Sequence, residues 1–294
     1  MTSNLLINYN SASALRSFLE QEGLGMQKKF GQNFLINPAV RQSLLDALGA
    51  EKGDEVWEIG PGLGAMTALL LDSGLNVKAF EIDAGFIRVL KQIFAEEKSF
   101  SIVEGDCLKT WSAQKPAQFL LGNLPYNIAA ALIADLIEKK RQFTRMVVTV
   151  QKEVALRMAA KAGAKDYSSF SVLCSSAYNV KTLMTISPSS FYPRPNVDSM
   201  GVLLETDLEK NKTPKPPEFF QLVRALFASR RKTIKNNLSV FIASIMKRFP
   251  VEAEKNDICR ALLHENGLSG NERAEELETE VFLSLAKSIE NMRK

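Results

Sequence analysis

The chain has 294 residues, 46% of them apolar and 24% charged, with a formal net charge of +4. This is the composition of a water-soluble globular protein with room for one large domain or two ordinary ones; no apolar run nears the roughly 20 residues of a membrane span, so a cytoplasmic protein with no membrane partner is expected. The three cysteines form no CxxC pair and His264 is the only histidine, which argues against a disulfide frame, a metal site and any Ser-His or Cys-His triad placed elsewhere in the chain.

Residues 1–25 lack the basic start and sustained apolar stretch of a signal peptide, and they precede every motif described below. Asn37-Pro38 reads as a helix N-cap with proline at the first helical position, and Gly49 as the stop. Strands and helices then alternate. VWEI (56–59) is a short buried strand, Gly60-Pro61-Gly62-Leu63-Gly64 a turn and AMTALLLDS a helix. NVKAFEI (76–82) is followed by the helix GFIRVLKQIF, FSIVEG is a third strand, QFLLG a fourth and RMVVTVQ (145–151) a fifth, with IAAALIADLIEKK a helix between the last two. Such alternation predicts a parallel, doubly wound sheet covered on both faces. NVKTLMTI (179–186) and VDSMGVLLE (197–205), joined through a proline-rich link, are expected to add an antiparallel hairpin at one edge, making seven strands.

ETDLEKNKTPKPPE (205–218) is charged and proline-rich, the composition of a linker. Beyond it FFQLVRALFAS, KTIKNNLSVFIASIM, DICRALLHENG and ETEVFLSLAKSI are all helical in pattern. The expected division is an α/β domain over 1–210, including the 1–25 extension, a linker at 211–217 and a smaller all-helical domain over 218–294. Between Glu218 and Arg248 the basic residues are Arg224, Arg230, Arg231, Lys232, Lys235, Lys247 and Arg248, while Glu218 is the only acid. A local basic block in a balanced chain suits either a polyanion or a solvated helix face.

A strand, a glycine-rich turn and a helix make a nucleotide site because glycines allow close backbone approach and positive φ, and because ligands of open parallel sheets lie beyond the carboxyl ends of the strands. Glu81 ends the next strand, where a carboxylate can hold two ribose hydroxyls, and Asp106 follows the third strand, placed for an adenine amine. Gly60, Gly62 and Ala65 fit a dinucleotide turn, yet S-adenosylmethionine sites also carry an acid, glycines around a proline and a ribose carboxylate, so this motif leaves both ligands open.

The fourth-strand motif Asn123-Leu124-Pro125-Tyr126 separates them. At the open end of a sheet, the Asn123 side-chain carbonyl and the Leu124 main-chain carbonyl can each accept one hydrogen of an exocyclic amine. Pro125 fixes φ and so stiffens the turn, and Tyr126 offers a face on which a base can stack. An adenine amine is a weak nucleophile because its lone pair is delocalised. Two acceptors favour a more tetrahedral nitrogen, and holding methyl and amine in line lowers the entropic part of the barrier. Such a base has to be unpaired or flipped out.

These motifs together resemble the ribosomal RNA adenine dimethyltransferases, the family of the kasugamycin-sensitivity enzyme and the erythromycin-resistance methyltransferases. The resemblance runs from about residue 26 to 294 through KKFGQNFL (28–35), EIGPGLG (58–64), FEID (80–83), EGDCL (104–108), GNLPYNI (122–128), VQKEVALRM (150–158), FYPRPNVDS (191–199) and SRRKTIKNNL (229–238), and its helical tail is closer to the small-subunit enzyme. It implies a Rossmann-like class I S-adenosylmethionine-dependent methyltransferase fold and S-adenosylmethionine as cofactor, contacted by Asn33, Leu35, Gly60, Glu81, Asp106 and Asn123. It implies base contacts from Asn123, Leu124 and Tyr126, with Phe191 as the second stacking wall, and RNA contacts from a basic helix carrying Arg230, Arg231, Lys232 and Lys235. The implied substrate is 16S rRNA or a small-subunit precursor, dimethylated at N6 of two adjacent adenosines in a hairpin near the 3′ end. A monomer is the simplest expectation.

Three other readings are open. An assembly or RNA-binding factor could keep the fold without the chemistry, although the intact Asn123 motif and Glu81 speak against it. A nicotinamide-dependent oxidoreductase would need carbonyl-polarising groups of which the sequence offers no clear set. DNA adenine methyltransferases usually carry Pro-Pro in the corresponding turn and lack the basic helical tail.

Overall fold

In the computed structural model, residues 7–25, 32–125, 128–212, 214–249 and 254–293 are described. The chain forms two compact units, Met1–Ala155 with Val180–Thr206, and Leu156–Asn179 with Asp207–Lys294.

In the first unit, α1 (Ala12–Gln21) starts at Ser11, whose hydroxyl accepts the Ala14 amide, and it buries Leu15, Phe18 and Leu19. A two-residue strand, β1 (Phe34–Leu35), leads to α2 (Pro38–Leu48). That helix is framed as its sequence requires: the Asn37 side chain accepts the Val40 amide, Pro38 opens the first turn and Gly49 closes it in the left-handed conformation. Then come β2 (Glu55–Ile59), α3 (Ala65–Asp72), β3 (Asn76–Glu81), α4 (Ala84–Ile93), β4 (Phe100–Glu104), α5 (Cys107–Thr110), β5 (Phe119–Asn123), α6 (Ala129–Glu138) and β6 (Arg145–Gln151). The chain leaves the unit within α7 (Lys152–Ala159), and after α8 (Ser169–Ser175) it returns along β7 (Tyr178–Ile186), β8 (Phe191–Tyr192) and β9 (Ser199–Thr206).

The main sheet has seven strands in the order β4-β3-β2-β5-β6-β9-β7. Strands β4, β3, β2, β5 and β6 run parallel, and β9 is antiparallel to β6. The chain builds outward from β2 to β4 and then crosses to β5, so the strand order reverses between β2 and β5. That is where an open α/β sheet leaves a crevice at its carboxyl edge. Covered on both faces, β2, β5 and β6 read as apolar runs interrupted only by Glu58 and Thr149 over 56–59, 119–122 and 146–150. A second, two-stranded sheet pairs β1 with β8, Phe34 opposite Tyr192 and Leu35 opposite Phe191.

The second unit contains α8, α9 (Leu208–Lys212), α10 (Phe219–Phe227), α11 (Ile234–Ile245), α12 (Lys255–Glu265) and α13 (Thr279–Met292). Its core includes Phe219, Leu226, Leu238, Leu262 and Phe282 together with Tyr167 and Val172. The helical unit therefore takes in residues 156–179 as well as the chain beyond 206. The Tyr167 hydroxyl fastens that excursion by donating to the Leu277 carbonyl at 2.8 Å. The charged stretch over 205–218 is not extended throughout: it begins in β9 and contains α9.

Candidate cofactor and acceptor site

At the carboxyl edge of β2, β3, β4 and β5 lies a cavity of about 310 Å³. Asn33, Leu35, Gly60, Glu81, Asp106 and Asn123, the six residues expected around a cofactor, all line it. The glycine turn shapes one wall. Gly62 has φ +59°, and a Cβ there would lie 2.9 Å from the Phe34 ring, so neither the backbone conformation nor the space suits a side chain. Its N–H donates to the Glu81 carboxylate at 3.2 Å.

Glu81 also accepts the Ile82 and Asp83 amides at 2.8 and 2.9 Å. Burial pushes its pKa up to about 6, against the three N–H donors that favour the charged form and with the nearby Asp83 charge adding to the rise. Two of the three N–H groups share one carboxylate oxygen and the third takes the other, which keeps acceptor capacity for a ligand hydroxyl. Asp106 caps α5 by accepting the Leu108 amide at 3.0 Å.

Sequence reasoning gave no role to Glu58. It is 2% exposed, lines the cavity and accepts the Thr67 hydroxyl at 2.6 Å. Burial pushes its pKa up to about 8; the Thr67 hydrogen bond opposes this and the Glu81 charge adds to it. The available signal was an acid inside an otherwise apolar strand. Gln32 and Asp83 were also passed over. The Gln32 amide donates to Asp83 at 3.1 Å, while the other Asp83 oxygen caps α4 through Gly85 and Phe86, so the loop before β1 is tied to the edge that carries Glu81.

The acidic side chains lining the cavity are Glu58, which burial keeps largely protonated at neutral pH, Glu81 and Asp106; among the described residues no Lys or Arg lines it. A diphosphate would find no cationic side chain among the described lining residues, whereas a ligand bearing a ribose, an adenine and positive charge meets acceptors in Glu81 and Asp106.

Hydrogen bonds among the described residues hold the acceptor turn. The Asn123 side-chain nitrogen donates to the Asn33 carbonyl at 2.7 Å. A carbonyl partner can be satisfied only by the NH₂ end of an amide, so this contact fixes which way Asn123 is turned and leaves its oxygen for another donor. The Leu124 amide donates to the Thr149 carbonyl at 3.0 Å, anchoring the turn on β6, and the Leu124 side chain is buried, so its main chain is what the turn can offer. The Ile128 amide donates to the Pro125 carbonyl at 3.1 Å and leads into α6. Gly122 makes room for the fold of the turn, since a Cβ there would lie 2.7 Å from the Leu124 side chain. Tyr126 lies outside the described residues.

Phe191 is the residue expected to stack on the base opposite Tyr126. It is 2% exposed and packs in the core with Leu35, Leu44 and Ile186 rather than lining the cavity. Pairing of β8 with β1 turns this ring inward, while its neighbour Tyr192 accepts a bond from Arg16 Nε at 3.2 Å.

The model of the ribosomal RNA adenine dimethylase family matches residues 23–290, well over half the chain. The chain belongs to the ribosomal RNA adenine dimethylase family. A ribosomal RNA small subunit methyltransferase A from Treponema denticola is 47% identical over 289 residues, 96% of each protein. Its counterpart from Borrelia garinii is 37% identical over 286 residues, 96% of this chain and 95% of the relative. The crystal structure of a dimethyladenosine transferase from Plasmodium falciparum superposes with a TM-score of 0.73 at 28% identity, covering 87% of this chain and 97% of that one.

This member of the dimethylase family carries its basic block on a turn rather than a helix. Arg230, Arg231 and Lys232 lie between α10 and α11, and Lys235 lies in the first turn of α11, all four exposed. Arg231 and Lys235 therefore do not share a helix face. The turn is shaped by Asn237, a buried residue whose amide donates to the Leu226 and Ser229 carbonyls at 2.9 and 3.2 Å. Arg230 is anchored to Glu275 at 2.8 Å and donates to the Lys165 carbonyl. Glu218, the lone acid of the block, is buried and pairs with Arg248 and Arg293.

Proposed function

We propose that this chain uses S-adenosylmethionine to dimethylate N6 of two adjacent adenosines in a hairpin near the 3′ end of 16S rRNA, as a step in small-subunit biogenesis. The observation that carries the reading is the Asn123 amide, whose nitrogen is committed to the Asn33 carbonyl and whose oxygen is left for an incoming amine. A cavity whose described lining includes acids but no Lys or Arg supports the choice of cofactor over a nicotinamide dinucleotide. Family membership and relatives named for small-subunit RNA methylation support the choice of substrate.

S-adenosylmethionine supplies an electrophilic methyl group on a sulfonium. Glu81 accepts from the ribose hydroxyls and Asp106 from the adenine amine, while Gly60 and Gly62 bring the main chain close. Asn123 Oδ1 and the Leu124 carbonyl each accept one N6 hydrogen of the target adenine, stabilising positive charge as it grows on that nitrogen. Pinned through Thr149, this turn needs little rearrangement when the amine arrives. Tyr126 stacks on the flipped base. Phe191 supports the ribbon behind the site from within the core. Arg231, Lys232 and Lys235, with Arg230 as the anchor of their turn, contact phosphates of the RNA partner.

The protein incubated with S-adenosylmethionine and small subunits from a strain lacking the modification is expected to generate N6,N6-dimethyladenosine in the 3′ hairpin, read by nucleoside mass spectrometry. A hairpin that stays unmodified would refute the assignment.

A further inference from the structure

The segment 7–24 precedes all but two residues of the family match, which begins at 23, yet it is packed against the cavity's own walls. Leu15, Phe18 and Leu19 of α1 cluster with Phe34 and Phe86, both of which line the cavity, and with Leu63 of the glycine turn. Polar ties reinforce this at four points. The Tyr9 hydroxyl donates to the Leu63 carbonyl at 3.0 Å, Arg16 donates to Tyr192 of β8, and Glu22 pairs with Arg88 of α4 at 2.8 Å. The fourth is Arg41, 7% exposed, whose guanidinium donates to the Leu35 carbonyl at 2.6 Å and to the Tyr9 carbonyl and Asn10 side chain.

Arg41 is thus a buried cation whose hydrogen bonds run to neutral oxygens rather than to a carboxylate. Burial holds its pKa below the ordinary arginine value, with the Tyr9 phenol acting the other way. Such a group is costly to bury and specific in what it joins: a planar fork reaching the N-terminal segment on one side and β1 on the other. Two residues before Leu35 stands Asn33, whose carbonyl orients Asn123.

We infer that Arg41 is a positioning residue: it clamps the N-terminal strap of residues 7–24 to β1 and thereby sets the Asn33 carbonyl that aims the Asn123 amide. The inference deepens the proposed function and rests on it for the kinetic arm only. The strap also backs the Phe34–Phe86 wall, whose rings lie 5.6 Å apart.

The test uses the full chain with Arg41→Met and, as a lighter change, Tyr9→Phe. Arg41→Met is expected to weaken S-adenosylhomocysteine binding by about tenfold in calorimetry and to lower kcat at saturating cofactor by at least as much. Tyr9→Phe is expected to weaken binding by about threefold. In an Asn123→Ala background, Arg41→Met should cost little further kcat, because the two act through one amide. A purely structural role would lower the melting temperature and leave affinity, kcat and the non-additivity untouched at temperatures where each variant is folded; that result would overturn the inference. If Arg41→Met does not fold, unchanged affinity and kcat in Asn10→Ala, which removes the side-chain partner of Arg41 on the strap, have the same force. Wild type that binds S-adenosylhomocysteine but transfers no methyl would sink the proposed function while the binding arm still decides the strap.

Discussion

Asn123 does its work through a division of labour within one side chain: the nitrogen holds position and the oxygen accepts. Asn123→Ala removes both, so turnover is expected to fall by about a hundredfold or more while S-adenosylhomocysteine affinity changes little; near-normal kcat would contradict the role given to the amide. Asn123→Asp is a sharper probe. A carboxylate cannot donate to the Asn33 carbonyl 2.7 Å away, so this near-isosteric change should be almost as damaging as alanine. Glu58 gives a pH signature. Its pKa in the folded protein is pushed up to about 8 from an ordinary 4.5, so between those values the folded state keeps a proton that the unfolded chain has released. Stability from this group is therefore greatest at low pH and is lost as pH rises through that window. Glu58→Gln should gain stability relative to wild type as pH is raised from 5 to 8, measured by chemical denaturation; a difference independent of pH would argue that the carboxyl titrates normally. At this scale the sequence reveals residues whose role is local, such as Asn37 capping its own helix. It conceals Asn33 holding Asn123 and Arg41 holding Asn10, because those partners are 90 and 31 positions apart and nothing in the spacing marks them.

Among the elements, every strand of the main sheet could be read from apolar runs bounded by turn residues. The β1–β8 ribbon could not, since two residues are too few for any periodicity. The basic segment misled in the opposite way. Its residues favour helix, but Asn237 bonds the Leu226 and Ser229 carbonyls and holds the intervening residues as a turn. Asn237→Ala should destabilise the second unit by about 1–3 kcal/mol, because two carbonyls lose their donor; a change of only a few tenths would mean the turn is held by something else. Replacing Arg231, Lys232 and Lys235 with glutamine should flatten the dependence of log affinity for RNA on log salt by about two to three units. An unchanged slope would take these residues out of the RNA interface. Arg230→Gln should add a stability loss that the other three lack, since it breaks the pair with Glu275.

For the whole molecule, the alternation of strands and helices announced the sheet and the change in composition near residue 205 announced a helical unit. Composition could not show that residues 156–179 leave the sheet and return, because their apolar residues look alike whichever core receives them. A chain cut after residue 210 would leave Tyr167 and Val172 without Phe219 and the Leu277 carbonyl, so it should melt at lower temperature than the full chain and expose apolar surface to a hydrophobic dye. The proposed chemistry belongs to the first unit, where three acidic side chains and one oriented amide line one cavity. Its most direct test is a crystal structure of the full chain with S-adenosylhomocysteine and adenosine. The ribose hydroxyls should lie on Glu81, and N6 of the adenosine should lie within about 3.2 Å of both Asn123 Oδ1 and the Leu124 carbonyl. A cofactor lodged outside the cavity, or an N6 out of reach of both oxygens, would contradict it.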